Sequence, residues 1–357
     1  MPAHEAVFPA DQFCNNRPVW HRLGGDETVP ESLRSLSRHY PDLGEIREVF
    51  EPVPRAIHGQ VLQVVTDGAT VVLKGVSQGR GISVAALDAH LGLVEELRRD
   101  QGVALPLVLP TASGAHAWAE GAHSYYVMRH EGNGAAFADD RTDGLDRIAH
   151  DIGVLFAALK NVPRSRLLFS ERRLLGHETL DARGALQRAV GGLDASVQSA
   201  VGQFDEVVDA WQGKYRADIV LAGCHSDLHP HNVLVRNARQ TCFLDLESIR
   251  PAHRVASLGF AVFKLLRNAI ARRGRTSAAA ISQLRGRFVD RLTSAGGLTS
   301  DEARGLALGA RAENLHRLLT IFTSPQNQSR WGDRAAMFGR ALSGEIDVIF
   351  GPGGARP

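Results

Sequence analysis

Apolar and polar residues alternate through REVFEPVPRAIHGQVLQVVTDGATVVLKGV, residues 47–76. A period of two is the mark of β-strands, and the stretch reads as strand, Gly-containing turn, strand, tight turn, strand. Asp67-Gly68, set between two β-branched runs, predicts a hairpin. The period then changes. SVAALDAHLGLVEELRRDQGV carries Leu87, Leu91, Val94 and Leu97 at helical spacing, and Gly102 follows as a stop. ALPLVLP reads as a short strand, and SYYVMRHEGNGAAF as a strand running into a Gly-rich connector near His130 to Phe137. DGLDRIAHDIGVLFAALKN places Leu145, Ile148, Ile152, Leu155, Phe156 and Leu159 on one helical face. Helical spacing returns over about 170–212, and again over Leu258 to Ile270, Ser277 to Ser294, Thr299 to Phe322 and Trp331 to Phe350. Between these two helical blocks lies one predicted hairpin, VLV and CFLDL around the turn RNARQ. The pattern predicts an α+β chain of two lobes. An N-terminal extension (1–45) precedes a small strand-rich N-lobe with one helix (46–130), and a larger, mainly helical C-lobe (131–357) carries the hairpin.

Composition narrows the class. With 44% hydrophobic and 22% charged residues in 357, the chain resembles an ordinary globular protein with a substantial core. No apolar run approaches the roughly 20 residues a membrane span needs, and MPAHEAVFPADQF lacks the pattern of a signal peptide. Cys14, Cys224 and Cys242 are few and unpatterned, which suits a reducing cytoplasm better than a disulfide scaffold. A net charge of +2, with no basic run interleaved with aromatics, predicts neither a nucleic-acid partner nor a membrane one.

The chemistry concentrates in HSDLHPHN, residues 225–232, and in FLDLE, ending at Glu247. A carboxylate at Asp227, a carboxamide at Asn232 and a second carboxylate at Asp245 are the parts a phosphoryl-transfer site needs. One accepts the proton of an attacking hydroxyl, and two supply oxygen ligands for the magnesium on a nucleotide triphosphate. The predicted hairpin would bring Asn232 and Asp245 to the same end. Arginine dominates the cations, and the lysines are Lys74, Lys160, Lys214 and Lys264 alone. Lys74 therefore stands out in the apolar strand TVVLKGV. An ammonium there is costly unless paired. It reads equally as a snorkelling lysine on an edge strand or as a phosphate-binding lysine on a central one. The turn Arg55 to Gln60, with Gly59, reads either as an ordinary hairpin turn or as a cover for nucleotide phosphates through its backbone N–H groups. A rival reading of the loop is zinc, from Cys224, His225, His229 and His231. Pro230 breaks any helix that would align them, and no second Cys/His pair lies nearby in sequence. No G-x-G-x-x-G follows a strand, and no G-x4-G-K-[ST] occurs.

TVVLK, YYVMRHEG, HSDLHPHNVLV and FLDLE occur in that order over about residues 50–250. Together they resemble the aminoglycoside phosphotransferase and choline kinase-like family, which has the protein-kinase-like fold. The usual loop is HGDLHxxN followed by an aspartate; Ser226 stands here in place of the glycine. The resemblance implies a two-lobed kinase-like fold and ATP or GTP with Mg2+ as co-substrate. It implies Asp227 as the group that orients or deprotonates the acceptor hydroxyl, Asn232 and Asp245 as magnesium ligands, and Lys74 as partner of the α- and β-phosphates. It also implies that the backbone from Met128 through His130 to Glu131 meets the adenine, with Met128 packed behind. His225 would brace the loop. Glu247 reads equally as support for a metal-bound water or the substrate and as a solvated acid.

Two departures from the family pattern stand out. The family places a glutamate on the helix after the lysine strand; here His90 occupies that position, with Asp88, Glu95 and Glu96 within about one turn. A later acid, usual in a D-L-A context, is replaced by Ser257. The acceptor is open. From residue 201 onward there are 21 Lys plus Arg against 14 Asp plus Glu, a balance that disfavours a polycationic aminoglycoside. Arg250, Arg254, Asn314, Arg317 and Trp331 are candidates to line its cleft. Three functions fit the sequence: a small-molecule O-phosphotransferase, a kinase of peptide hydroxyls, and a catalytically weak relative that binds a partner or nucleotide.

Overall fold

A computed structural model describes residues 5–6, 8, 19–23, 31–53, 60–78, 82–132, 142–167, 174–215, 221–236 and 240–351. From the N-terminus, strands β1 (Glu5–Ala6) and β2 (Val19–Arg22) precede helix α1 (Glu31–His39). Strands β3 (Ile46–Val53), β4 (Gln60–Thr66) and β5 (Thr70–Ser77) follow, then helix α2 (Val84–Gln101) and strands β6 (Val108–Leu109), β7 (Trp118–Glu120) and β8 (His123–Arg129). Seven of these strands form one antiparallel sheet of order β2-β3-β4-β5-β8-β6, with β7 also on β8. β2 extends the sheet, and Leu33, Leu36 and Tyr40 pack on it.

Alternation along β5 decides where Lys74 points. Val71 and Leu73 turn to the face covered by α1, whereas Val72, Lys74 and Val76 turn to the other. Tyr126 and Met128 of β8 share that second face, with Tyr126 directly opposite Lys74. Helix α2 starts where Ser83 accepts a hydrogen bond from Ala86 N and stops at Gly102, which adopts φ 64°.

The remainder is mainly helical. Helices α3 (Thr142–Lys160), α4 (His177–Ala189), α5 (Ala195–Gly202) and α6 (Phe204–Lys214) lead to strand β9 (Ala222–His225). The hairpin β10 (Val233–Arg236) and β11 (Gln240–Phe243) comes next, then β12 (Ile249–Ala252), which pairs with β9. Helix α7 (Arg254–Arg273), the short strand β13 (Thr276–Ser277, paired with β1), α8 (Ala278–Ser294) and α9 (Ser300–Ile321) complete the larger core. A capping box between Thr299 and Glu302 opens α9. Helices α7 and α9 approach closely at Gly259 and Gly309, where a Cβ would collide with backbone of the facing helix.

The single helix expected over Trp331 to Phe350 is absent. Helix α10 (Pro325–Trp331) ends there, a 3-10 turn spans Gly332–Arg334, and α11 (Ala335–Arg340) and α12 (Ile346–Phe350) flank a π-type segment with Gly344 out of helical geometry. The apolar spacing continues across these breaks, but the backbone departs from the helix at Trp331 (φ −127°, ψ 0°) and at Gly344.

Candidate active site

A cleft of about 470 Å3 opens between the sheet and the helices. Lys74 reaches it from β5. Asp227 comes from the loop after β9, and Asp245 and Glu247 from the turn after β11. Helices α7 and α9 supply Phe260, Lys264 and Arg317, and the α10–α11 region supplies Trp331, Arg334 and Phe338.

The hairpin sets the positions of Asn232 and Asp245. Val233 pairs with Phe243, and Leu244 N donates to Asn232 O at 2.9 Å, so Asn232 and Asp245 flank one hairpin end. Although two positions apart, Asp245 and Glu247 do not share a strand face. The strand ends at Phe243; Asp245 adopts the left-handed conformation at φ 61°, and Leu246–Ser248 forms a 3-10 turn. A non-glycine residue held there carries backbone strain of the kind that clusters at functional sites. Ser248 donates its hydroxyl to Asp245 Oδ2 at 2.5 Å, and Ser226 donates both N–H and hydroxyl to Ser248 O. The serine in place of the usual glycine thereby ties the two loops together.

Lys74 bridges the lobes. Its Nζ donates to Asp245 Oδ1 at 2.7 Å and to Glu247 Oε2 at 2.5 Å, and Tyr126 Oη donates to Glu247 Oε1 at 2.9 Å. None of the acids on α2 pairs with it. Asp88 accepts from His116 N and Ala117 N, Glu95 pairs with Arg98 and accepts from Val108 N, and Glu96 pairs with Arg166. His90, fully buried, faces the backbone of the turn instead: its Nε2 lies 3.0 Å from Leu246 O. Burial lowers its pKa to about 4, so the ring is neutral and Nε2–H donates to that carbonyl. Helix α2 therefore touches the lysine's partner through the turn that carries it.

Burial would raise the Asp245 carboxyl, but Lys74 and Ser248 hold it below the usual range. Glu247 moves the other way: burial and the neighbouring Asp245 charge raise it despite Lys74. Burial works against the Lys74 ammonium, but Asp245 and Glu247 outweigh it and raise its pKa well above the ordinary value.

Asp227 sits in a second cluster. Its Oδ1 lies 2.8 Å from an Nη of Arg317, and its Oδ2 lies 3.5 Å from His229 Nε2. Arg317 also donates to Glu313 at 2.6 Å and to Ser226 O at 2.9 Å, with its guanidinium 4.0 Å from the Phe260 ring centroid. Burial would raise the Asp227 carboxyl, but Arg317 and His229 hold it well below the usual range. Asn232 donates its Nδ2 to Asp227 O at 2.8 Å, which fixes its amide orientation. The loop is anchored beneath by His225, whose Nε2 donates to Leu244 O at 2.7 Å, while Cys224 is fully buried against Ala252 O. These contacts turn the first two members of the supposed zinc set inward.

Other expected residues fall elsewhere. Gly59 lies outside the described residues. Met128 is buried opposite Val72 and Val108, and His130 N donates to Thr70 O. Arg250, Arg317 and Trp331 line the cleft; Arg254 and Asn314 do not. Arg254 is committed to Glu302, Phe156 O and Gly297 O, and Asn314 is fully buried and donates to Ala310 O. Tyr126, Ser248, Lys264 and Arg334 were missed. Tyr126 alone left a usable signal, as the residue two before Met128 on the strand paired with TVVLK.

The model of the phosphotransferase enzyme family, APH, matches residues 49–306. The chain belongs to this family. It is an enzyme that transfers a phosphoryl group to a hydroxyl. No curated protein matches it by sequence. Among solved structures, amicoumacin kinase in complex with AMP-PNP, Ca2+ and Ami is 13% identical, with TM-score 0.62 over 90% of this chain and 96% of that one. The microcompartment-associated aminopropanol kinase is 14% identical, with TM-score 0.61 over 91% and 98%. Spectinomycin phosphotransferase with ADP and spectinomycin is 13% identical, with TM-score 0.58 over 91% and 98%. These likenesses establish the protein-kinase-like fold. Among the described residues no helix is long and apolar enough to cross a membrane.

Proposed function

We propose that this enzyme moves the γ-phosphoryl group of ATP or GTP to a hydroxyl of a small molecule, with Asp227 as the acceptor-side base. The observation that carries the reading is the convergence of Lys74, Asp227, Asp245 and Glu247 on one cleft, with Asn232 between the two aspartates in the chain. Asn232 and Asp245 are oxygen donors held at one hairpin end, a donor set that suits Mg2+. Held by these two residues, Mg2+ would supply charge neutralisation on the nucleotide's phosphates. Lys74 gives up part of its hold on Asp245 and Glu247 to pair with phosphate oxygens. Asp227, kept ionised by Arg317, accepts the acceptor's proton as its oxygen bonds to the γ-phosphorus and the bond to the β-phosphate oxygen breaks. ADP or GDP and a phosphate ester result.

The two acids on Lys74 supply the pairing that α2 lacks, which favours an active enzyme over a catalytically weak relative. A cleft of about 470 Å3 is of small-ligand size, which favours a small molecule over a peptide as acceptor. We divide the chain into an N-lobe taking in β2 and α1 and ending near residue 130, and a C-lobe beyond it. Cys224 is buried as a thiol, which suits a cytoplasmic enzyme. The test is incubation with Mg2+, ATP or GTP and a panel of hydroxyl compounds, read as phosphate-ester formation by mass spectrometry. No ester from any compound would count against the reading.

A further inference from the structure

Two buried histidines hold the backbone on either side of Asp245. His225 Nε2 donates to Leu244 O, the carbonyl before it, at 2.7 Å. His90 Nε2 donates to Leu246 O, the carbonyl after it, at 3.0 Å. Neither ring is exposed, and they come from opposite sides of the cleft: His225 ends β9, and His90 sits within α2. Between them Asp245 keeps φ 61°, a conformation that a residue with a side chain holds only where its surroundings over-determine it. Ser248 N, donating to Asp245 O at 2.9 Å, closes the turn from within.

The two histidines are not equivalent. His225 Nδ1 accepts from Asp227 N at 3.4 Å, so that ring also serves its own loop. His90 Nδ1 is buried and has no hydrogen-bond partner. A buried ring nitrogen left so is destabilising. The other buried residues of α2, Leu87, Leu91, Leu93, Val94 and Leu97, are all apolar, and a leucine at 90 would pack among them without that cost. The bond to Leu246 O is what the imidazole supplies and an apolar side chain does not.

Helix α2 is a fixed support for that bond. Asp88 accepts from His116 N and Ala117 N, and Glu95 accepts from Val108 N, so two of its acids anchor it to the sheet side. Where the family pattern sets an acid that pairs with the lysine, the histidine instead reaches the turn whose acids do so.

We infer that His90 is a positioning residue: its bond to Leu246 O ties the Asp245–Glu247 turn to α2 and holds both carboxylates where Lys74 and a metal ion meet them. This rests on the phosphotransferase reading.

The test reads metal-dependent binding rather than turnover. The full chain is titrated calorimetrically with AMP-PNP, once in Mg2+ and once in EDTA. In wild type Mg2+ raises the affinity. His90→Leu fills the same space without the donor, and its affinity in Mg2+ falls about 10-fold or more while that in EDTA changes less. His90→Gln returns an N–H to Leu246 O and recovers most of the loss, which a space-filling role would not do. Cooperative thermal unfolding shows that each variant is folded. If His90→Leu is not, His90→Asn, whose amide is too short to reach the carbonyl, replaces it in the comparison. An equal Mg2+-dependent gain in wild type and the donor-free variant overturns the proposal. A glutamine variant no better than the donor-free one overturns it too. In both cases a phosphate ester formed by wild type leaves phosphoryl transfer standing. A wild type whose AMP-PNP affinity is indifferent to Mg2+ counts against the metal site and overturns the proposal with it.

Discussion

Lys74 on β5 pairs with Glu247, a residue 173 positions later, at 2.5 Å. The same carboxylate receives Tyr126 Oη, from the residue directly across the sheet from Lys74. An acid on the C-lobe turn thus does what the family pattern expects of an acid on α2. Glu247→Gln raises the KM for nucleotide about 10-fold or more, the scale of one charge-assisted hydrogen bond. Tyr126→Phe has a smaller effect, about 2- to 10-fold. Steady-state kinetics over a nucleotide series measure both. Recovery of the Glu247→Gln defect by adding His90→Glu would place the lysine's partner on α2 and contradict this pairing.

Arg317 sets the protonation of Asp227. Removing the guanidinium removes what stabilises the carboxylate against burial, so Arg317→Gln raises the Asp227 pKa. The protonated, inactive form then appears at higher pH. The acid limb of kcat/KM accordingly moves upward in the variant, while wild type shows no limb from Asp227 above the usual carboxylate range. A pH–rate profile from pH 4 upward reads this. Superimposable acid limbs would exclude the electrostatic role.

His90 makes stability acid-sensitive. Its folded pKa is about 4 against an ordinary 6.5, so the unfolded chain takes the proton first. A group depressed on folding loses stability as pH falls, here through the window from about 6.5 to 4. Between pH 6.5 and pH 5 the loss through His90 is about 2 kcal/mol. His90→Gln keeps an N–H for Leu246 O and lacks that proton equilibrium, so its stability falls less over the same interval. Urea unfolding at the two pH values compares them, and equal losses would remove His90 from the explanation.

The close crossing of α7 and α9 positions Phe260 against Arg317. A Cβ on Gly259 would come within 2.6 Å of Ala310 N and closer still to Leu306 O. Backbone has little room to yield, so Gly259→Ala costs about 1–3 kcal/mol. Differential scanning fluorimetry should show a lowered Tm; an unchanged Tm would mean the helices separate freely.

Much of this was legible in the chain. The β3–β5 strands follow from alternation because one sheet face is covered by α1 and the other by α2 and the cleft. The Asp227, Asn232 and Asp245 cluster is local, built from one loop and one hairpin, so its spacing carries its geometry. The partner of Lys74 was not legible, because it depends on a turn far along the chain and on Asp245 entering the left-handed conformation. Arg254 and Asn314 were misplaced for a different reason. Helices α7 and α9 are buried nearly all round, so periodicity does not tell which face meets the cleft. Lys264 escaped notice on the same account.

The most direct measurement compares wild type with Asp227→Asn in Mg2+-dependent phosphate transfer from ATP or GTP to an accepted hydroxyl compound. The substitution keeps the size of the side chain and removes the base. A fall in kcat of about 100- to 10,000-fold, with nucleotide affinity retained, is the predicted result. Equal turnover by the two proteins would contradict Asp227 as the base and, with it, the reading of the cleft.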